Sequence, residues 1–99
     1  MKLPIPLSFD WNKGNVDKNF IKHKVSCREA EEVFFDEGVL ILIDINHSQK
    51  EERFVALGTT NKGKKLIISF TIREDKVRII SARDQSRKER KFYEQETKS

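Results

Sequence analysis

The sequence of 99 residues predicts one α+β domain, in which helices pack against an antiparallel sheet. Two Ser-x-x-Glu sequences, "SCRE" and "SRKE", are capping boxes that start helices. Between them, short apolar stretches alternate with turn sequences, which is typical of antiparallel strands. A chain of this length buries one modest core, so we expect a single domain over residues 1–99.

Two helices are predicted in the N-terminal part, after a brief strand at residues 7–9. Asp10 is expected to cap a first helix over residues 11–23, although Gly14 weakens it. The expected inner side of this helix consists of Val16, Phe20, Ile21 and His23. Ser26 and Glu29 start the second helix, and "FDEG" ends it. Its apolar residues at helical spacing are Ala30, Val33 and Phe34.

A sheet of about four antiparallel strands is predicted next. Residues 39–43 form a short apolar strand, and the polar loop "DINHSQKE" follows. Residues 53–60, 66–73 and 77–83 then alternate with two tight turns, "NKGK" and "ED". Ser86 and Glu89 start a C-terminal helix. The expected arrangement is therefore two helices, an antiparallel meander and a terminal helix, with the helices covering one face of the sheet.

The last strand carries a candidate site residue at its end. Period-two alternation places its residues in two sets: Val77, Ile79, Ser81 and Arg83 on one side, and Arg78, Ile80 and Ala82 on the other. Both sets mix apolar and polar residues, so the pattern leaves open which side is the core. Arg83 precedes the basic run "SRKERK", and it could project beside Arg87 and Arg90.

Charge is unevenly distributed along the chain. Residues 62–99 contain 12 basic and 6 acidic residues, whereas residues 1–61 contain 8 and 10. Such a gradient indicates an anionic partner, either a nucleic acid or an acidic protein. Cys27 is the single cysteine, so no intramolecular disulfide can form and a reducing compartment is expected. The sequence has neither a membrane-spanning apolar run nor a signal peptide, which predicts a cytoplasmic protein without a membrane partner.

Several kinds of chemistry find no support in the sequence. No His, Cys or carboxylate residues have metal-ligand spacing, and neither a phosphate-cradling glycine loop nor a serine-nucleophile elbow is present. We therefore expect no metal and no cofactor.

Three stretches together resemble the BrnT toxins, the ribonuclease half of a bacterial type II toxin-antitoxin pair in the RelE-like group. They are "FDWNKGNVDKNFIKHKVSCREAEEVFFD", "DINHSQKEERFVALG" and "RIISARDQSRKERKFYE". Lys24 replaces a glycine that is usual in the family. The resemblance implies a RelE-like α+β fold, RNA as the substrate and inhibition of translation. It also implies a BrnA-type antitoxin as partner, with operator DNA bound only through the antitoxin complex.

The resemblance also implies catalysis without metal, through attack of a ribose 2′-hydroxyl on the adjacent phosphate. Cations must then stabilise the charge that develops on the pentavalent phosphate. Arg87 and Tyr93 have the spacing of an arginine and a tyrosine that share this work in RelE, and Lys65 lies near the position of a further RelE arginine. With Arg83, they are the catalytic candidates. The candidates for RNA binding are Arg53, His23, Arg90 and Lys88.

Each candidate also has a structural interpretation. A basic run of this kind is also typical of a solvated helix face, and Tyr93 can anchor the last helix on the sheet. His23 lies at a helix end, His47 lies in a loop, and Arg53 can pair with Glu51 or Glu52. If Arg83 and Arg87 are exposed, replacing either by Ala should reduce cleavage and barely affect folding. The alternative to an endoribonuclease is a non-catalytic basic module that binds an acidic protein or a nucleic acid.

Overall fold

The computed structural model describes residues 3–16, 23–47 and 50–97 and has an α+β architecture. Four strands form one antiparallel sheet, in which each strand pairs with the next one along the chain. The elements in chain order are α1 (Cys27–Phe34), β1 (Leu40–Ile43), a 3₁₀ turn (Ile45–His47), β2 (Phe54–Thr59), β3 (Lys65–Arg73), β4 (Lys76–Asp84) and α2 (Arg87–Thr97). The predicted α+β class, the four-stranded antiparallel sheet and the C-terminal helix are confirmed. Within the described residues, no helix has the length and apolar character needed to span a membrane.

Both predicted capping boxes are present. The Ser26 hydroxyl accepts from the Glu29 amide at 3.2 Å, and the Glu29 carboxylate accepts from the Ser26 amide at 3.0 Å. At the start of α2, the Ser86 hydroxyl accepts from the Glu89 amide at 3.2 Å, and the Glu89 carboxylate accepts from the Ser86 amide at 2.8 Å. Each pair satisfies backbone donors that the first helical turn leaves without partners.

The N-terminal segment differs from its prediction. Residues 13–16 and residue 23 are helical, but Asn12 rather than Asp10 caps this start, because its side-chain oxygen accepts from the Asn15 amide at 3.1 Å. Asp10 instead accepts from Arg78 at 3.2 Å. Much of the predicted first helix, including Phe20 and Ile21, lies outside the described residues. The predicted strand at residues 7–9 is reduced to one parallel bridge between Phe9 and Val77.

Helix α1 covers one face of the sheet and forms the core with it. Val33 is fully buried there, and the ring of Phe34 meets the ring of Phe70 edge-on, with centroids 5.0 Å apart. The helix approaches β2 closely at Gly58, where a Cβ atom would lie 2.8 Å from Val33 Cγ1. Glycine is therefore required by the packing of α1 on the sheet.

A bulge in β4 changes which residues face the core. Ser69 pairs with Ser81 and Phe70 pairs with Ile79, so Ile80 is an extra residue without a partner on β3. The core side of β4 consists of Val77, Ile79 and Ala82, which are all buried. The prediction that Ser81 and Arg83 share a side with Val77 is wrong, because strict period-two alternation assumes a strand without a bulge.

The sheet face opposite α1 is called the open face here. Thr59 and Lys65 project from it, and their side chains contact α2: Thr59 Oγ1 lies 2.9 Å from the Tyr93 hydroxyl, and Lys65 Nζ donates to Glu94 at 2.8 Å. The prediction that all helices cover one face is therefore wrong. Helix α1 packs on the core face, whereas α2 meets side chains of the open face.

Among the described residues, non-glycine residues adopt left-handed backbone at two places. Glu74 and Asp75, with φ of 51° and 62°, form the two-residue turn between β3 and β4, as the "ED" turn predicted. Lys24 has φ of 59° just before the cap of α1. Glycine adopts this conformation without steric cost, which gives a physical reason for the glycine that the resemblance placed at this position.

Candidate nucleic-acid interface

A groove of about 600 Å³ lies on the open face and is called the Arg83 groove here. Its floor consists of strand residues, namely Val55, Ile67, Ser69 and Ser81. Residues 43–47 line one side, and Arg83 with Glu89 lines the other. The bulge in β4 is what brings Ser81 and Arg83 to this face, so the groove depends on that irregularity.

Arg83 is held in the groove by a bidentate ion pair. Its Nη1 and Nη2 atoms donate to the two oxygens of Glu89 at 2.8 and 2.9 Å, and Nη1 also donates to the Asp84 carbonyl at 3.1 Å. The hydrogen bonds from Arg83 lower the pKa of Glu89 from 4.5 to about 2. Glu89 therefore stays ionised at neutral pH and fixes the guanidinium.

The ion pair leaves part of the Arg83 guanidinium available. Arginine has five N–H donors, and the contacts with Glu89 and Asp84 use three of them. The Nε–H and one Nη2–H remain, and no described residue accepts from them. These two donors lie side by side in the fork geometry that binds two oxygens of a phosphate. The side chain is 44% exposed, so an anion can reach it.

His47 lines the same groove from the opposite side. Its Nδ1–H donates to Asp44 Oδ2 at 2.9 Å, which leaves Nε2 without its proton in the neutral ring. The sequence placed His47 in a loop and gave only weak support for a functional role. The Asp-x-x-His spacing on a single turn was the signal that could have identified this pair.

Further cations line two smaller cavities that continue from the groove. Arg53 lines both of them: one is shared with His47, and the other with Arg73 and Arg78. Arg73 pairs with Glu51 at 2.9 Å, and Arg78 pairs with Asp10. The open face thus presents arginines along its length, and a carboxylate accompanies Arg73, Arg78 and Arg83.

The structure does not bring the other basic candidates into the Arg83 groove. Arg87 and Lys88 are exposed on α2, and neither lines the groove. Arg90 lines a separate cavity with Lys65, whose ammonium pairs with Glu94. His23 is half-buried and also lies outside the groove lining.

Tyr93 is buried and joins α2 to the rest of the fold. Its hydroxyl donates to Asp36 Oδ2 at 2.8 Å and lies 2.9 Å from Thr59 Oγ1. Asp36 also accepts from the Thr59 amide at 3.0 Å. Burial raises the pKa of the Tyr93 hydroxyl, so it is held as a neutral donor. Tyr93 does not line the Arg83 groove, and this geometry is that of an anchor.

No group of three or more His, Cys, Asp or Glu side chains that could hold a metal ion occurs within residues 3–16, 23–47 and 50–97. The arrangement on the open face offers instead a guanidinium fork, a histidine-aspartate pair and hydroxyl groups. Together these groups can bind a phosphate and move a proton.

A comparison with family models gives one match over most of the chain. The model described as ribonuclease toxin, BrnT, of type II toxin-antitoxin system matches residues 11–89. This range includes the groove residues of β2, β3 and β4, as well as Glu89. No curated protein matches the chain.

Proposed function

Because the chain belongs to the BrnT family of ribonuclease toxins of type II toxin-antitoxin systems, we propose that it cleaves RNA on the open face and thereby inhibits translation. The enzyme acts as an endoribonuclease in the cytoplasm, without a metal ion, and its fold is RelE-like. A BrnA-type antitoxin neutralises it. Family membership and the geometry of the Arg83 groove together support this proposal.

The observation that carries this proposal is the donor fork of Arg83. Attack of a 2′-hydroxyl on phosphorus develops negative charge on the non-bridging oxygens, and a guanidinium at hydrogen-bond distance stabilises that charge. Glu89 and Asp84 fix Arg83 through three donors and leave two for the phosphate. Since the guanidinium is already oriented, little reorganisation is needed when the substrate binds.

The neighbouring arginines extend the contact along the RNA backbone. Arg53, Arg73 and Arg78 line the cavity that adjoins the one beside His47. A single strand that passed from the Arg83 groove towards this cavity would meet successive cations. Exposed phosphate contacts of this kind contribute affinity that weakens with salt.

The antitoxin is proposed to bind the same open face. Glu51, Glu89 and Glu94 show that carboxylates complement the cations there, so acidic side chains of a partner fit this surface. Covering the groove would exclude RNA. Operator DNA is then bound through the antitoxin in the complex, and the toxin alone does not bind it specifically.

The proposal is tested with purified protein and RNA, with and without chelator, and with ribosomes in a parallel set of reactions. We expect cleavage that survives chelation. Arg83→Ala should lower the cleavage rate on the order of 10²-fold or more, as loss of one charge-stabilising donor does. Lys91→Ala, at an exposed lysine of α2, is the matched control and should retain the rate.

Arg87→Ala separates two predictions. The RelE spacing predicts a loss like that of Arg83→Ala, whereas the groove geometry predicts a smaller one. Cleavage abolished by chelator and restored by one divalent ion would contradict metal independence. RNA binding without cleavage, under all of these conditions, would favour the non-catalytic binding module.

A further inference from the structure

We propose that His47, oriented by Asp44, is the general base that takes the proton from the attacking 2′-hydroxyl. This inference rests on the proposed RNA cleavage, since it assigns a catalytic role within that reaction. Its substrate is a ribonucleotide phosphodiester bound in the Arg83 groove.

The histidine is oriented by local structure. Asp44 accepts from His47 Nδ1–H at 2.9 Å with Oδ2 and lies 3.1 Å away with Oδ1. The backbone amide of His47 also donates to the Asp44 carbonyl at 3.2 Å, and the Asp44 amide donates to the Arg53 carbonyl at 2.8 Å. The 3₁₀ turn and the start of β2 thus fix the aspartate, and the aspartate fixes the ring.

Asp44 also sets which ring nitrogen is basic. A hydrogen on Nδ1 directed at a carboxylate leaves the lone pair of the neutral ring on Nε2, as in other carboxylate-oriented histidines. The Asp44 side chain is 23% exposed, whereas that of His47 is 65% exposed. The orienting group is therefore protected, and the reactive nitrogen is accessible to substrate.

The groove places this base opposite the cation. His47 and Arg83 line the same cavity from two sides, with Ser69 and Ser81 on the floor between them. An in-line displacement needs a base near the nucleophile and a cation near the phosphate oxygens. The two sides of the Arg83 groove supply one group each.

The reaction step is a transesterification. Nε2 of neutral His47 accepts the 2′-hydroxyl proton while O2′ forms a bond to phosphorus, and Arg83 donates to the non-bridging oxygens. The bond from phosphorus to the 5′-oxygen breaks, and that oxygen leaves with a proton from solvent. The products are a 2′,3′-cyclic phosphate and a 5′-hydroxyl. Imidazolium at His47 then returns its proton to water.

Charged groups around His47 enter the interpretation of any pH profile. Lys50, Glu51 and Arg53 line the adjoining cavity with it, while Arg83 and Glu89 line the groove. Arg83 lowers the pKa of Glu89 to about 2, so this carboxylate stays ionised across the range of the assay. Histidine is the side-chain type that ordinarily changes charge between about pH 5 and 8, so a rate change in this range that disappears in His47→Gln is assigned to His47.

The experiment measures cleavage of a short RNA by the intact protein from pH 5 to 8, with Arg83→Ala and Arg28→Ala as references. His47→Gln and His47→Ala should lower the rate by about 10²-fold or more, within the range of general base catalysis. The wild-type rate should rise with pH, and the rise should disappear in His47→Gln. Added imidazole should restore activity to His47→Ala and not to Arg83→Ala.

Binding is measured in parallel with an RNA whose 2′-hydroxyls are methylated. A base contributes to the chemical step, so His47→Gln should bind this RNA as the wild type does. Asp44→Asn should cleave more slowly than the wild type and faster than His47→Ala, because an amide keeps the hydrogen bond without the charge. Arg28, which is 88% exposed on α1, should be replaceable without effect.

The results distinguish failure of the proposed RNA cleavage from failure of the proposed role of His47. No cleavage by the wild type, with or without ribosomes, would overturn the proposed function itself. Loss in Arg83→Ala, together with wild-type rate and pH profile in both His47 variants, would overturn only the role of His47. Loss in His47→Ala without rescue by imidazole and with weakened RNA binding would also overturn it, since that result indicates a binding contact.

Discussion

Replacing Glu89 by Gln removes the negative charge from the bidentate ion pair between Arg83 and Glu89. Gln keeps the length of the side chain, and its carbonyl can still accept from the Ser86 amide at the start of α2. It can accept only one of the two hydrogen bonds from Arg83 that the carboxylate accepts at 2.8 and 2.9 Å. The substitution therefore tests the charge and leaves the capping geometry in place.

The expected magnitude follows from the depressed pKa of Glu89. The fall of the Glu89 pKa from 4.5 to about 2 corresponds to about 3 kcal/mol, because a shift of one pKa unit is worth about 1.4 kcal/mol. Arg83 is 44% exposed, and water screens the pair, so we expect about 1–2 kcal/mol in the free energy of unfolding at pH 7. A depressed carboxyl pKa stabilises the fold above about pH 4.5 and loses that contribution as pH falls towards 2.

The assay is urea unfolding of both proteins at pH 7, 5, 4 and 3. The wild type should be more stable than Glu89→Gln at pH 7, and the difference should shrink below about pH 4.5. Glu94→Gln is the matched control, because its pair with Lys65 is exposed and should affect unfolding little. A difference that persists undiminished at pH 3 would refute the electrostatic reasoning, and the absence of any difference at pH 7 would refute the pair's contribution.

Three further substitutions test the fold around the site. Lys24→Gly should raise the free energy of unfolding by about 0.5–1 kcal/mol, because φ of 59° strains lysine; equal or lower stability in urea would contradict this. Gly58→Ala should lower it by about 1–3 kcal/mol, since its Cβ would meet the buried Val33 at 2.8 Å, and an unchanged melting temperature would argue against that contact. Tyr93→Phe should cost about 1–2 kcal/mol through lost hydrogen bonds while leaving cleavage intact, and a stable variant with abolished cleavage would support catalysis by Tyr93 instead.

Features set by neighbouring residues could be predicted from the sequence. Each capping box requires only a serine and a glutamate three residues apart, and both formed as expected. The "ED" turn joins β3 and β4 because two left-handed residues match the twist of a hairpin. Strand order followed from such turns. Arg83 was also placed correctly at the end of the last strand.

Features set by distant contacts could not be predicted in this way. The bulge at Ile80 arises from pairing between β4 and β3, and no local pattern marks it. The opposition of His47 and Arg83 across the groove depends on the pairing of β2 and β3, which lie between the two residues in the sheet. Aspartate is a residue type that often caps helices, but Asp10 accepts a hydrogen bond from Arg78 instead. This tertiary ion pair determines the position of the Asp10 side chain.

The N-terminal segment contacts β4, and these contacts join residues that are far apart in the sequence. Each strand pairs with the next one along the chain, whereas Asn15 donates to the Ile79 carbonyl across 64 positions. Low contact order favours rapid folding, and closing a long loop adds an entropic cost. We therefore expect the four-stranded meander to form before the N-terminal segment docks, both in refolding and after synthesis. Partial unfolding should release this segment first and leave the Arg83 groove assembled.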